Sequence, residues 1–492
     1  MLAAILLMKR IAIIGGGISG LSAAFTLEQH RRGGVPLKYI LYESTSRLGG
    51  VISTEQVDGC VVEAGPDSFL TEKPWAADLC RELGLGDQLI GSNDAERKTY
   101  ILIKGRLFAI PDGLMFMVPT RIMPVMFSGL FSPGTKFRML REWFYQPTNS
   151  SKDESVGEFV ERHYGAEFVD RVADPLLSGV YGGDAFELSV RAVLPRFAQM
   201  EASYGSLARA MSAARKKTIA NASPRPLFTS LKNGMQQMVD ALVSHLSPSS
   251  VRLSSVVQDV RFGRAGWTIS TLATPEHFDA LIVATPAYVA AALMQAVSPE
   301  LANELHGIPY TSSVTLTMGY DHSARSSLPL GFGFLVPRSE GKRLIATTFV
   351  HNKFPLRAPE DRALIRCFFG GSHDENILRL PENEVVRIAQ DELRTILGLD
   401  AKPLFARIYK WQAAMAQYTV GHRERLERIE RLRRQIPGLA LAGNAYLGIG
   451  FPDCVHAGKQ AVEQVLSSLG PTGRCQNSAP LKPNPNYTGN AR

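Results

Sequence analysis

Cysteine is scarce in this chain. There are five in 492 residues, Cys60, Cys80, Cys367, Cys454 and Cys475, with no C-x-x-C pair. The odd count excludes a closed disulfide framework, and the missing pair excludes a cysteine-based zinc site. Both suit a reduced, cytoplasmic protein without a metal. An uninterrupted apolar run of about 18 residues is also missing, so no spanning helix is expected. Residues 1–7 are apolar, but they lack a basic start and a small-residue cleavage site and are too few for a signal peptide. Met8 offers an alternative start. The basic runs are short and not interleaved with aromatic residues, which argues against nucleic acid. His163, His351, His422 and His456 are scattered, and no Ser-His-Asp or Cys-His constellation assembles around them, so they read as structural or surface residues. No internal repeat is present.

What remains is a globular composition, 45% hydrophobic and 20% charged, with a net charge of +8. Such an excess suits an acidic partner, either a carboxylate-bearing substrate or an anionic membrane surface, or else simply a solvated basic surface. The length exceeds one ordinary core, so two or three domains are expected.

The most informative stretch is residues 9–21. Ile11, Ala12, Ile13 and Ile14 read as a buried parallel strand, and residues 21–27 open a helix. Between them Gly15, Gly17 and Gly20 spell G-x-G-x-x-G. In that setting Gly15 permits the tight turn, Gly17 lets backbone approach a pyrophosphate, and Gly20 lets helix and strand pack closely. Gly16, Ile18 and Ser19 complete the loop, whose helix N-terminus offers free N–H groups to phosphates. Tyr39 to Tyr42 reads as the second strand. Glu43 stands at its end, followed by Ser44, where a carboxylate would take ribose hydroxyls.

Further along, residues 51–62 read as a hairpin turning at Asp58 and Gly59, 74–83 as a helix, and 100–110 as a second hairpin. Residues 113–145 crowd Met, Phe, Leu and Val between Pro119, Pro124 and Pro133, with Arg121, Lys136, Arg138 and Arg141 alongside. That pattern fits interfacial membrane contact, the greasy wall of a ligand cavity, or plain core. Ser155 is the expected N-cap of a helix over 155–164, with Glu158 at the capping-box position. Helices are expected over 166–177, 198–220 and 234–246, and a linker at 223–226. Strands are expected over 251–261, 266–272 and 277–283, the last ending at Ala284-Thr-Pro286. Residues 298–406 alternate strands and helices, 439–441 form a short strand, 455–469 a closing helix, and the Pro- and Asn-rich tail over 470–492 is expected to be disordered.

Together the glycine loop, the Glu and Arg47-Leu-Gly-Gly50 resemble the N-terminal fingerprint of the flavin-containing amine oxidoreductase superfamily. More narrowly, Gly65-Pro-Asp-Ser-Phe69, the stretch Asp174 to Asp184, Gly331 to Pro337, Gln417 to His422 and Ala442 to Cys454 resemble the bacterial porphyrinogen oxidases of haem synthesis. These act on protoporphyrinogen IX or coproporphyrinogen III. The resemblance runs from Lys9 to about Leu469. It implies an α/β fold, with a Rossmann-like FAD-binding domain, an inserted α+β substrate domain and a mostly helical domain. The expected division is 8–95, 225–297 and 407–469 for FAD, 96–112 and 298–406 for substrate, and 113–224 for the helical, membrane-associating part.

The same resemblance implies non-covalent FAD. Gly15 to Gly20 would hold the pyrophosphate and Glu43 the ribose. Arg47, Gly50, Gly65, Pro66, Asp67 and Ser68 would lie along the flavin. Val257 would meet the adenine end through its backbone, and Trp411, Gly448, Ile449 and Gly450 would approach the isoalloxazine. Gly179, Leu335 and Phe368 would wall the substrate pocket. Where mitochondrial and plant-type members carry an Arg just before the 100–103 strand, this chain has Thr99 after Arg97 and Lys98. Lys73 instead follows the G-P-D-S-F motif, as in relatives that prefer coproporphyrinogen. The implied reaction is a six-electron, oxygen-using oxidation releasing hydrogen peroxide, with protoporphyrinogen IX slightly ahead of coproporphyrinogen III. Another flavin amine oxidase is the weaker alternative. A peripheral membrane location and a homodimer are both compatible with this reading.

Overall fold

The computed structural model describes residues 8–115, 117–148, 152–218 and 225–470. Residues 1–7, Cys475, residues 223 and 224 of the expected 223–226 linker, and all but the first residue of the expected 470–492 tail lie outside them.

Five parallel strands form the first sheet, in the order Val251–Arg252, Leu37–Tyr42, Lys9–Ile14, Ala280–Val283, Leu439–Leu441. Its strands come from both ends of the sequence and from the middle. They are apolar on both faces because both are covered. Ile11 and Ile13 pack on the helices Ile18–Arg32, Gln236–His245 and Phe451–Ser468. Ala12 and Ile14 point the other way, into a core with Trp267, Ile269 and Phe278 of a three-stranded meander. The expected 251–261 strand is interrupted. Ser254 has φ +49°, and the chain bends past the second strand before Asp259–Gly263 resumes. The expected 277–283 strand likewise divides into Glu276–Phe278 and Ala280–Val283, which serve different sheets.

The second sheet has seven strands, ordered Phe405–Ala416, Tyr310–Tyr320, Ala363–Gly370, Ala346–Phe349, Gly333–Leu335, Thr99–Ile103, Arg106–Ala109. The expected boundary at 407 falls inside the first of these. Strand alternation splits this sheet chemically. Val314, Leu316, Met318, Ile365, Cys367 and Phe369 join Val385, Ala389 and Leu393 of the helix Glu382–Leu397 in one core. Thr315, Arg366 and Phe368 therefore project from the opposite face.

The third layer is helical. Ser155 caps Val156–Tyr164 with the full reciprocal capping box to Glu158. A π-turn at Val169–Ala173 leads into the helix Asp174–Tyr181. The expected 198–220 helix is two, Pro195–Tyr204 and Leu207–Thr218, broken at Gly205, whose φ is +72° and whose Cβ would lie 2.2 Å from the Gln146 backbone. Within the 113–145 stretch Val118, Val125, Leu130, Phe131 and Met139 are core. Met123, Phe127, Phe137 and Phe144 stand in solvent. Among the described residues no helix is long and apolar enough to cross a membrane.

Candidate active site

The glycine loop is built as its spacing requires. Gly15 has φ +107°, and a Cβ there would sit 2.5 Å from the Ala284 carbonyl oxygen. At Gly20 a Cβ would sit 1.8 Å from the Gly15 oxygen, whereas at Gly17 it would meet nothing within 4 Å. Gly17 is the N-cap of Ile18–Arg32 and supplies no side-chain cap. The first helical N–H groups are therefore open donors toward that free space. The Ala284-Thr285 backbone and side chain, just after the Ala280–Val283 strand, pack against Gly15.

Several expected ligands carry structural bonds of their own. The Glu43 carboxylate accepts from the Gly16 N–H at 2.7 Å, the Thr45 N–H at 2.8 Å and the Ser44 hydroxyl at 3.2 Å, fastening the loop to the second strand. The Ser19 hydroxyl donates to the Cys454 carbonyl at 2.9 Å, so it holds the last helix rather than facing the loop's open side. The Arg47 guanidinium donates to the Leu48, Gly50 and Ile52 carbonyls, folding the R-x-G-G turn on itself. Gly49 then donates to the Gly16 carbonyl at 2.8 Å, which places Gly50 against Gly17. Beside Glu43, Ser254 and Ser255 donate to the Thr45 and Glu43 carbonyls, and Val257 follows half-buried.

Beyond the turn, a Cβ at Gly65 would lie 2.0 Å from the Val51 oxygen, so the connecting segment 64–68, between the strands Cys60–Glu63 and Phe69–Leu70, packs against the turn. Trp411 Nε1 and Thr315 Oγ1 both donate to the Ala64 carbonyl at 2.9 Å, and Arg366 donates to the Gly65 carbonyl. Among the described residues the N–H groups of Gly65, Asp67 and Ser68 have no internal acceptor. Trp411 sits one residue from a bulge at which Ala413 takes φ +44°. Asp67 is ion-paired to Lys353 at 3.1 Å. Burial works to raise its carboxyl, but the Lys353 and Arg366 charges prevail and hold it well below the usual carboxylate range. Its side chain is an anchor for this segment, and Pro66 lies half-buried beside it.

Opposite stands the turn Gly448, Ile449, Gly450, where the helix Phe451–Ser468 begins with no side-chain cap. Gly448 has φ +152° and donates to the Tyr418 hydroxyl at 3.0 Å. The Asp453 carboxylate occupies the space beside both glycines and is gripped by Lys73, Nζ lying 2.6 and 2.7 Å from its two oxygens. Asp453 is buried and Lys73 only half so. Lys73, expected from the resemblance at the substrate site, is thus held by a partner that the sequence did not assign.

The three expected wall residues come together. Leu335, Ala346, Phe368 and Thr315 are successive cross-strand partners, a row along one face of the seven-stranded sheet. A Cβ on exposed Gly179 would lie 3.5 Å from Leu335 and 4.0 Å from Ala346. The row therefore leads from the helical layer at Gly179 to Thr315, which is bonded to Ala64. Arg366, Lys353, Thr315, Tyr418 and Asp453 were not singled out from the sequence. The available signal was a lone arginine in an otherwise apolar strand, residues 363–369.

The geometry fits a long, phosphate-bearing cofactor. It supplies two uncapped helix N-termini, an open loop at Gly17, a row of free N–H groups at 65–68 and an indole beside them. The model for "flavin containing amine oxidoreductase" matches residues 18–466. The chain is 32% identical over 471 residues to the coproporphyrinogen III oxidase of Bacillus subtilis, covering 94% of this chain and 98% of the relative. It is 29% identical to protoporphyrinogen oxidase 2 of Arabidopsis thaliana, covering 94% of each. The crystal structure of an Exiguobacterium protein provisionally assigned as a protoporphyrinogen oxidase superposes with a TM-score of 0.82 at 30% identity, covering 93% of this chain and 98% of that one. Cyclohexylamine oxidase from Brevibacterium oxydans shares the fold, with a TM-score of 0.68 at 17% identity over 94% of this chain and 99% of its own. A flavin carried on a dinucleotide-type βαβ unit is FAD, and the chain belongs to the flavin-containing amine oxidoreductase family.

Proposed function

We propose that this protein oxidises a porphyrinogen to its porphyrin in haem synthesis, with oxygen as terminal acceptor and hydrogen peroxide released. The observation that carries the reading is the row Gly179, Leu335, Ala346, Phe368. It is an apolar wall that begins at the helical layer and leads, through Thr315, to the 64–68 segment expected to line the flavin. FAD bound there supplies two-electron oxidation, so the six electrons of a porphyrinogen require three rounds. The protein's own tasks are then positional. Gly17 and the two helix N-termini hold the cofactor, with Val257 backbone at the adenine end. The 65–68 N–H groups and Trp411 fix its ring, and Leu335 and Phe368 present the macrocycle. Each round removes a hydride from a bridging methylene and releases one proton. The cation left by hydride loss is delocalised over the electron-rich flanking pyrroles and gives that proton up to solvent, so no side-chain base is needed.

The first reading takes protoporphyrinogen IX, whose vinyl edge suits this apolar wall. Coproporphyrinogen III is the second reading. It is favoured by the Bacillus subtilis relative's name and by Lys73, a half-exposed ammonium at the rim where a substrate propionate would compete with Asp453. Porphyrin fluorescence under air with each purified porphyrinogen tests both. Turnover of neither, together with turnover of an amine, would sink the proposal. A large preference for the four-carboxylate ring would reverse the order.

A further inference from the structure

Five charged side chains gather at the 63–68 segment. Glu63 accepts from the Met235 N–H and the Thr54 hydroxyl and lies 2.9 Å from Arg357. Asp67 pairs with Lys353, and Arg366 donates to the Gly65 carbonyl, with the Ala64 carbonyl 3.4 Å away. Glu63, Arg357 and Arg366 are each no more than 5% exposed. Two carboxylates face three cations, so the cluster carries at least one surplus positive charge away from water. A surface ion pair is screened and worth little, but a charge in this setting acts at longer range. Arg366 is also out of place locally. It sits in the strand Ala363–Gly370 among apolar neighbours, and burial lowers its affinity for a proton. The guanidinium remains ionised nonetheless. Besides the Phe368 ring, 5.0 Å from its guanidinium carbon, it contacts carbonyls of the segment whose Gly65, Asp67 and Ser68 N–H groups have no internal acceptor among the described residues.

We propose that Arg366 is a positioning residue for the flavin. By clamping the Ala64 and Gly65 carbonyls it fixes the free donors at 65–68, and as the surplus cation of the cluster it favours the electron-rich reduced cofactor. The proposal rests on FAD lying along the 64–68 segment. Trp411 and Thr315 share the clamp but bring no charge. Lys353 and Arg357 bring charge but are matched by Asp67 and Glu63. Only Arg366 does both.

The test uses FAD-loaded full-length protein. Midpoint potentials are read by dye equilibration on the flavin-bound fraction, and FAD affinity by recovery of flavin fluorescence. Arg366→Met should disfavour the reduced form at least tenfold, a fall of about 30 mV for a two-electron couple, and weaken FAD binding at least tenfold. Arg366→Lys should restore the potential but not the affinity, because an ammonium cannot span two carbonyls as a guanidinium fork does. An unchanged potential in Arg366→Met overturns the proposal, and so does a potential in Arg366→Lys as low as in Arg366→Met. If Arg366→Met does not fold, Lys353→Met removes a charge from the same cluster without touching the two carbonyls. It must lower the potential, and no change there overturns the proposal. Wild-type protein that binds no FAD strikes the cofactor placement instead.

Discussion

Replacing Gly17 by Ala separates what the loop does for the fold from what it does for the cofactor. A Cβ at Gly17 meets nothing within 4 Å, and its φ of −69° with ψ of 179° is open to any residue. The substitution therefore strains nothing in the unliganded chain. The cost is that of alanine at a helix N-cap, about 1 kcal/mol, which in a protein this large moves Tm by no more than about 2 °C. The methyl group stands where a phosphate must approach the N–H groups of the first turn. Losing one or two charge-assisted bonds at about 1.5–3 kcal/mol each gives roughly 1.5–6 kcal/mol. At 1.4 kcal/mol per decade that is a rise in FAD Kd of roughly 10- to 20,000-fold. Equilibrium titration with FAD and thermal melts of the apo-protein measure the two effects independently. An affinity within threefold of wild type, with an intact melt, would refute phosphate binding at this turn.

Gly458→Ala should behave oppositely. Its Cβ would lie 2.2 Å from the Ser19 carbonyl oxygen, so the last helix must back away from Ile18–Arg32 and strain the Ser19–Cys454 and Ser22–Val455 bonds. Overpacking at about 1–3 kcal/mol predicts a lower apo Tm with FAD affinity falling in parallel, and an unchanged melt would contradict it. Gly179→Leu should raise KM about tenfold, near 1.4 kcal/mol, and leave FAD binding alone, since the added side chain fills the space before Leu335. Equal kinetics would remove Gly179 from the wall. Stability should fall on mild acidification. Burial lowers the His351 and His422 imidazoles from about 6.5 to about 4. The unfolded chain therefore takes up protons first, and stability present above pH 6.5 is lost as pH falls toward 4, by about 3 kcal/mol for each. Urea melts at pH 7 and pH 5 read this, and a double His351→Asn, His422→Asn variant should flatten the slope. His163 runs the other way. Burial disfavours its charge, but hydrogen bonds to Glu142 and Glu201 prevail and raise its pKa, so its contribution fades as pH rises above 6.5.

Local chemistry was legible in the sequence wherever backbone geometry dictated the residue. The three glycines, the Ser155 capping box and the apolar central strands each have one physical solution, and the structure adopts it. Breaks set by distant backbone were not legible. Gly205 interrupts a helix because Gln146 passes beside it, and residues 252–258 leave the sheet to meet Glu43 and Thr45. The resemblance brought Gly179, Leu335 and Phe368 to one wall, although nothing in their own neighbourhoods marks them. The pairing of strands far apart in sequence created that row, and only register reveals it.

The same distinction explains why the substrate question gathers at Lys73. A residue type in a motif names a charge, not its availability. Read alone, Lys73 is a free cation at the rim. In the fold its ammonium is held by Asp453, whose place in the first turn of the last helix, beside Gly448 and Gly450, is fixed by helix geometry. A propionate drawn to Lys73 must therefore displace a buried carboxylate or share the ammonium with it. Asp453→Asn distinguishes these. If Asp453 restrains Lys73, the variant should lower KM for the four-carboxylate ring more than for the two-carboxylate ring, since the released charge is worth more where more carboxylates compete for it. Equal changes for both rings would mean that Lys73 serves the helix terminus and not the substrate. The ring preference would then be set elsewhere along the wall.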